Sequence, residues 1–194
     1  GVAFTPMAVA NGKRNGPREY IVATQKEHPG NLTVLQHALA TRILFDGKRA
    51  IGVEYLAGKH LYKADPQSNG IAGTIEQVRC RNEVIVAAGA FNTPQLLKLS
   101  GVGPAAELAQ FGIPVVANLP GVGENLQDRY EVGIVSRFKN DFALLENVPF
   151  APPAAGSTDA VFDLWKQGKG IYTSNGSLIG VIKRSTPDKR IPDL

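Results

Sequence analysis

Residues 84–103 read VIVAAGAFNTPQLLKLSGVG, and this stretch decides the fold. The apolar, β-branched run at 84–86 leads through two alanines into Gly89, which predicts a buried strand and then a turn tight enough to need small residues. Thr93-Pro94 supplies an N-cap followed by proline at the first helical position, and Gly101 suits a helix end. We therefore expect a strand, a turn and a short capped helix.

A helix that begins where a strand ends is the place at which α/β folds hold small ligands. The same pattern also fits a tightly packed strand-turn-helix that binds nothing. Spacing alone leaves both interpretations open.

The order of Gly89-Ala90, Thr93-Pro94, Leu96-Leu97 and the segment 100–103 resembles the second signature of the glucose-methanol-choline (GMC) family of flavin-dependent alcohol oxidoreductases. Three flanking regions resemble other family blocks in the same order along the chain. They are residues 31–35 with 41–44 and 50–55, residues 119–128, and residues 170–176.

The resemblance implies an FAD cofactor, an alcohol substrate and roles for a few positions. It places the backbone of Ala40 against the adenine of FAD, and Ala88 and Gly89 beside the adenosine half. Small residues allow main chain to approach a ligand closely. Thr93 either contacts the cofactor or only caps the helix, with capping favoured.

Other consequences of the resemblance concern the later part of the chain. Asn125 and Asp128 either brace the flavin region or stabilise their loop. Arg129 stands where the family usually has histidine, which suggests a subgroup with a different cofactor or substrate environment. No motif matches the family's carboxyl-terminal histidine block, so we expect the catalytic base to lie outside this chain and predict no catalytic residue within it.

The predicted fold class is α/β, or α+β for the piece in hand: part of an FAD-binding Rossmann-like domain with a β-meander, and the start of a substrate domain. Residues 1–125 are predicted to be a partial FAD-binding domain without its amino-terminal G-x-G-x-x-G unit, and 126–194 the beginning of a substrate-binding domain. From its first and last residues, we expect the chain to be an internal segment of a longer protein.

Patterning predicts the remaining elements. Strands are expected at 32–35, 38–45, 50–56, 74–80 and 132–138, with a hairpin turn at Asp46-Gly47. Helices are expected at 104–110, closed by Gly112, and at 160–166. Residues 1–20 are expected to form turns. For Glu19–Gln25 the sequence fits a short helix and a short strand equally.

Composition excludes several classes of function. Lys and Arg number 21 against 17 Asp and Glu, a formal charge of +4, and the basic residues have no interleaved aromatics to bind nucleic acid. No apolar run approaches a membrane span, and the single Cys80 gives no disulfide or cysteine metal site. The sequence does not decide the cellular compartment, although the cytoplasm is favoured.

Other motifs predict no additional chemistry. The three histidines, His28, His37 and His60, have no paired carboxylate at sequence level and are interpreted as surface residues, so no metal site is predicted. Residues 101–106 fit G-x-G-x-x-A formally, but a helix precedes them instead of a strand, which argues against a phosphate loop.

The sequence therefore predicts part of an FAD-dependent enzyme that oxidises an alcohol by hydride transfer to flavin, inactive as an isolated chain. Two alternatives stay open: a non-catalytic binding or assembly module, and a GMC-fold lyase that uses FAD structurally. The substrate, electron acceptor, flavin attachment and oligomeric state are not predicted.

Overall fold

The computed structural model describes residues 1–129, 131–140, 142–151, 154–177 and 179–193. Its α/β architecture combines small sheets with few helices, and contacts divide the chain into two compact units. One unit is Val34–Val132, and the other combines Gly1–Thr33 with Gly133–Leu194. The domain boundary expected between residues 125 and 126 stays a prediction.

Three antiparallel strands form the sheet of the unit Val34–Val132: β4 (Ala38–Asp46), β5 (Arg49–Ala57) and β6 (Thr74–Arg79), in the order β4-β5-β6. The hairpin predicted at Asp46-Gly47 joins the first two, and Gly47 has φ +56° as such a turn requires. A register irregularity between Ala40 and Arg42 interrupts the ladder. The strand expected at 32–35 is absent, since these residues pair with no strand of the described chain.

The run 84–86 is not the buried strand that its sequence predicts. Residues 83–87 have no regular structure, and the Ile85 side chain is 80% exposed. A strand of this apolar kind is stabilised by hydrogen-bonded neighbours and by cover on both faces. No strand of the described chain pairs with it, so the apolar pattern is present without the sheet that it fits.

Helix α2 spans Gly89–Leu99 and begins earlier than predicted. Gly89 has φ +87°, a left-handed conformation that glycine adopts without steric cost, and this turns the chain into the helix at once. Pro94 therefore lies inside the helix and cannot donate to the carbonyl of Ala90. The expected Thr93 N-cap is wrong as a position, although the expected helix end at Ser100-Gly101 is correct.

Two short strands and a short helix follow α2. Strand β7 (Val102–Gly103), helix α3 (Ala105–Gln110) and strand β8 (Ala117–Asn118) follow, and β7 pairs with β8 in parallel. The predicted helix is thus confirmed. Its Leu108 is 1% exposed, whereas Phe111, which directly follows the helix, is 72% exposed. Ile43, Val102 and Leu108 are the buried hydrophobic residues of the described chain.

The other unit contains strands β1 (Val2–Phe4), β2 (Val9–Ala10), β3 (Lys13–Arg14) and β9 (Ile179–Val181), with helices α1 (Pro17–Glu27) and α4 (Ala160–Lys166). β1 pairs with β9 and β2 with β3, both antiparallel. The turns predicted for residues 1–20 are wrong in part, because Pro17 at the first helical position and Glu19, bonded to the Gly16 N–H, begin a helix.

Later parts of this unit agree less evenly with the sequence patterns. Helix α4 is confirmed, and its Trp165 indole donates to the carbonyl of Gly12 at 2.7 Å. The strand predicted at 132–138 is absent, since the chain there is irregular, with Val135 97% exposed. Alternation of apolar residues predicts a strand only where a neighbouring strand can pair with it.

Gly101 gives a test of how closely the chain after α2 packs against the backbone at Pro114. Gly101 has φ +83°, and a Cβ there would lie 2.3 Å from the carbonyl oxygen of Pro114. We expect Gly101→Ala to lower the free energy of unfolding by roughly 2 to 5 kcal/mol, the sum of left-handed strain and overlap. Denaturant unfolding followed by circular dichroism measures the loss.

Gly112→Ala is the matched control. Gly112 has φ +66°, but a Cβ there would meet nothing within 4 Å, so only the conformational cost of about 1 to 2 kcal/mol remains. Equal losses for the two variants would contradict the close approach at Pro114.

Candidate functional site

Ser100 joins the end of α2 to the free edge of β4. Its Oγ accepts from the N–H of Ile43 at 2.8 Å and donates to the carbonyl of Leu96 at 2.6 Å. Ser100 is 7% exposed and Ile43 is 5% exposed, so the hydroxyl and the amide are both shielded from solvent. Because β5 occupies the other edge of β4, this hydroxyl satisfies an edge amide that no strand reaches. The bond fixes the helix beside the strand.

A small groove of about 210 Å³ lies between this helix and this strand. It brings together residues from β4, from the loop after β5, from the end of the 83–88 segment and from α2. The lining residues are Leu39, Ala40, Tyr62, Ala88, Asn92, Gln95, Leu96 and Leu99. The walls are mostly apolar, with two side-chain amides and two alanines where main chain is accessible.

Two of the predicted cofactor residues meet in this groove. Ala40 and Ala88 both line it, although they lie far apart in sequence and on different elements. Both alanines are exposed. Gly89 is not among the lining residues, and a Cβ at Gly89 would meet nothing within 4 Å, so its requirement is the conformation that begins α2.

The Thr93 side chain forms a hydrogen bond with the backbone. Its Oγ1 accepts from the N–H of Ala88 at 3.0 Å, which fixes the residue that borders the small groove. Thr93 is therefore not the N-cap of α2. It lies inside the helix, five residues after the actual N-cap Ala88, and its side chain binds the backbone of that residue.

Asn125 is not among the residues that line the small groove, and it follows the Pro120-Gly121 pair by four residues. It has φ +55°, a left-handed conformation that asparagine tolerates, and it is exposed. Asp128 Oδ1 accepts from the N–H of Arg129 at 2.7 Å, a local bond within the loop. The neighbours Glu124 and Leu126 line a second, large groove of about 820 Å³.

The large groove adjoins the small one, since Tyr62, Asn92, Gln95 and Leu99 line both. On its side an ion pair links α2 to α3: Lys98 Nζ lies 2.8 Å from both carboxylate oxygens of Glu107. The cation of Lys98 is therefore already partnered.

The loop between β5 and β6 is ordered by a histidine-carboxylate contact that the sequence analysis did not identify. His60 Nδ1 lies 2.9 Å from Asp65 Oδ2, five residues further along the chain. Loop folding brings the two together, which pattern alone does not show. Hydrogen bonds from the Gln67 N–H and from His60 lower the pKa of Asp65.

Charged side chains also brace the outer surface of the sheet. Arg42 Nη2 lies 2.7 Å from Glu54 Oε2 across the β4-β5 ladder, and this hydrogen bond lowers the pKa of Glu54. Tyr55 donates to Glu76 at 2.6 Å, which raises the pKa of the Tyr55 hydroxyl. These are surface contacts between neighbouring strands and form no reactive centre.

Within the described residues, no group of three or more His, Cys, Asp or Glu side chains is arranged to hold a metal ion. In the same ranges, none of the helices has the length and apolar character that crossing a bilayer requires.

Comparison with known proteins identifies the family. Residues 1–131 match the family model described as GMC oxidoreductase. The chain belongs to the GMC oxidoreductase family. It is 38% identical to the oxygen-dependent choline dehydrogenase of Pseudomonas putida (strain GB-1), over 98% of this chain and 31% of that protein. It is 42% identical to the oxygen-dependent choline dehydrogenase of Cronobacter sakazakii, over 98% of this chain and 32% of that protein.

Solved structures of GMC relatives share the fold. An FAD-dependent oxidoreductase from Chaetomium thermophilum matches with a TM-score of 0.67 and 30% identity, over 94% of this chain and 30% of that one. Formate oxidase of Aspergillus oryzae matches with a TM-score of 0.69 and 25% identity, over 88% and 26% of the two chains. The α/β fold class and the GMC resemblance are thereby confirmed. The chain spans about a third of the length of the curated relatives that it matches.

Ser100 is the residue of this region that sequence reasoning missed. It was recognised only as a helix end, although a serine directly before glycine at a helix terminus can bond back to the preceding turn. Its second bond, to Ile43, joins residues 57 apart in sequence and has no local signal.

Replacing Ser100 tests whether its hydroxyl holds α2 against β4. We expect Ser100→Ala to lower the free energy of unfolding by about 1 to 3 kcal/mol, because the buried N–H of Ile43 loses its acceptor. Faster hydrogen exchange at the Ile43 amide accompanies the loss. Ser157→Ala is the control, since the Ser157 hydroxyl is exposed and, among the described residues, its bond is to the nearby carbonyl of Ala154. An unchanged exchange rate at Ile43 would disprove the role given to Ser100.

Proposed function

We propose that this chain supplies the adenosine side of an FAD site in a GMC oxidoreductase that oxidises an alcohol. One observation carries the proposal: Ala40 and Ala88, the positions that the family resemblance places against the adenine and the adenosine half, line the same groove. They reach it from different elements, Ala40 from the antiparallel strand β4 and Ala88 from the residue that directly precedes α2.

The groove fits one part of the cofactor. Its volume of about 210 Å³ is below the roughly 300 to 1,000 Å³ of pockets that enclose a whole small ligand. A planar base between apolar walls is a suitable occupant, and the amides of Asn92 and Gln95 offer donors and acceptors for its edge. Ala40 and Ala88 would contact the base, and Thr93 would hold the backbone of Ala88 in place.

The chemistry of the proposed reaction belongs to the flavin, which accepts a hydride from the alcohol carbon when it is bound. This chain's part is to bind and orient the nucleotide end. No motif of this chain matches the family's carboxyl-terminal histidine block, so we place the base that takes the alcohol proton outside these residues. Location in the cytoplasm stays a prediction.

Enlarging Ala88 tests the cofactor role. In the product of the complete reading frame that contains this chain, we expect Ala88→Leu to reduce bound flavin per protein at least several-fold, because the larger side chain enters the small groove. The ratio of flavin absorbance to protein absorbance measures occupancy. Ala109→Leu, an exposed alanine on α3 outside both grooves, is the control. Full flavin occupancy in Ala88→Leu would contradict the assignment of this groove.

Alcohol oxidation is tested with the same complete product. We expect it to reduce an artificial electron acceptor when a primary alcohol such as choline is added, whereas the 194-residue chain alone shows neither turnover nor stoichiometric flavin absorbance. Flavin retention without alcohol-dependent reduction would favour the lyase alternative, and loss of both would favour a binding or assembly module.

A further inference from the structure

Tyr62 is the aromatic residue of the small groove. Of the eight residues that line this groove, it alone carries an aromatic ring, and it comes from the loop between β5 and β6. Tyr62 is 46% exposed, so its ring is accessible to a ligand.

The loop holds the backbone of Tyr62 through its carbonyl group. Asp65 donates its N–H to the carbonyl of Tyr62 at 2.9 Å, and its carboxylate binds His60 at 2.9 Å. Asp65 also accepts from the Gln67 N–H at 2.8 Å. The contacts on Asp65 therefore close a turn around Tyr62.

A second contact closes the base of the loop. The side chain of Leu61 packs against the glycines at the two ends of the loop: a Cβ on Gly58 would lie 3.1 Å from it, and a Cβ on Gly73 would lie 2.5 Å from it. Glycine at these positions lets the loop close over Leu61. The position of the neighbouring Tyr62 is thereby fixed at the groove.

We propose that Tyr62 is the stacking wall for the adenine ring in the small groove, an inference that rests on the proposed function. A planar phenol ring offers a base more dispersion contact than any aliphatic wall, and stacking of this kind does not depend on a particular hydrogen-bond pattern. Ala40 and Ala88 line the same groove and, being small, leave room for the base. The ring itself contributes the affinity, and the hydroxyl is secondary.

Titration of the 194-residue chain with AMP tests this inference without reference to catalysis. We expect the H2 and H8 protons of AMP to move upfield on binding, because they enter the ring current of Tyr62. Tyr62→Ala should weaken AMP binding roughly 5- to 150-fold, the range found when a base-stacking ring is removed. Ribose 5-phosphate, which lacks the base, should bind no differently to the wild type and the variant.

Matched variants separate stacking from structure. Tyr62→Phe keeps the ring and should retain affinity within a few-fold, whereas Tyr62→Leu keeps apolar bulk and should lose affinity as Tyr62→Ala does. Tyr20→Ala removes a tyrosine that is 74% exposed on α1, in the other unit, and should change nothing. Retained β4-β5 amide shifts in a ¹H-¹⁵N spectrum confirm that each variant is folded.

The outcomes distinguish this inference from the proposed function. AMP binding that is lost in Ala88→Leu but unchanged in Tyr62→Ala and Tyr62→Leu would overturn the role of Tyr62 and leave the groove assignment intact. Absence of AMP binding to the wild-type chain would also overturn it, while the flavin content of the complete product judges the groove separately. Equal loss in Tyr62→Phe and Tyr62→Ala would assign the effect to the hydroxyl and reject stacking.

Discussion

The hydrogen bond from the Ile43 N–H to the Ser100 hydroxyl is the constraint on which the candidate site depends. Strand β4 has β5 on one edge only, and its other edge would expose backbone amides to the helix beside it. A buried amide without an acceptor is costly, so the hydroxyl at the end of α2 fixes where the helix can lie. The small groove is the space left between that strand and that helix.

This constraint explains which features could be predicted from sequence. The hairpin at Asp46-Gly47, the helix end at Gly101 and helix α4 follow from signals within a few residues of each other, namely turn chemistry, positive φ and apolar spacing. Such signals act locally and survive whatever surrounds them. Ala40 and Ala88 were found by family resemblance, because an exposed alanine has no signal of its own.

The features that could not be predicted depend on distant partners. The runs at 84–86 and 132–138 have the composition of strands, yet no strand of the described chain pairs with either, and Ile85 and Val135 are exposed. Composition specifies that a segment suits a sheet, but not that a neighbour is present. Ser100, His60 and Tyr62 gain their roles from residues that reach them only after folding, which is why single-residue patterns did not indicate them.

The difference between Gly89 and the two alanines bears on what the GMC signature does in this chain. At Gly89 a Cβ would meet nothing, and φ +87° alone explains the glycine, so this part of the signature is accounted for by the start of α2. Thr93 is accounted for by its bond to the Ala88 amide. What helix geometry leaves unexplained is the presence of small, exposed residues at 40 and 88, on separate elements that face one groove. The proposed function gives these two small residues a role, since a nucleotide bound in the groove would lie close to the main chain, and a flat base would suit the aromatic ring of Tyr62 in the same groove.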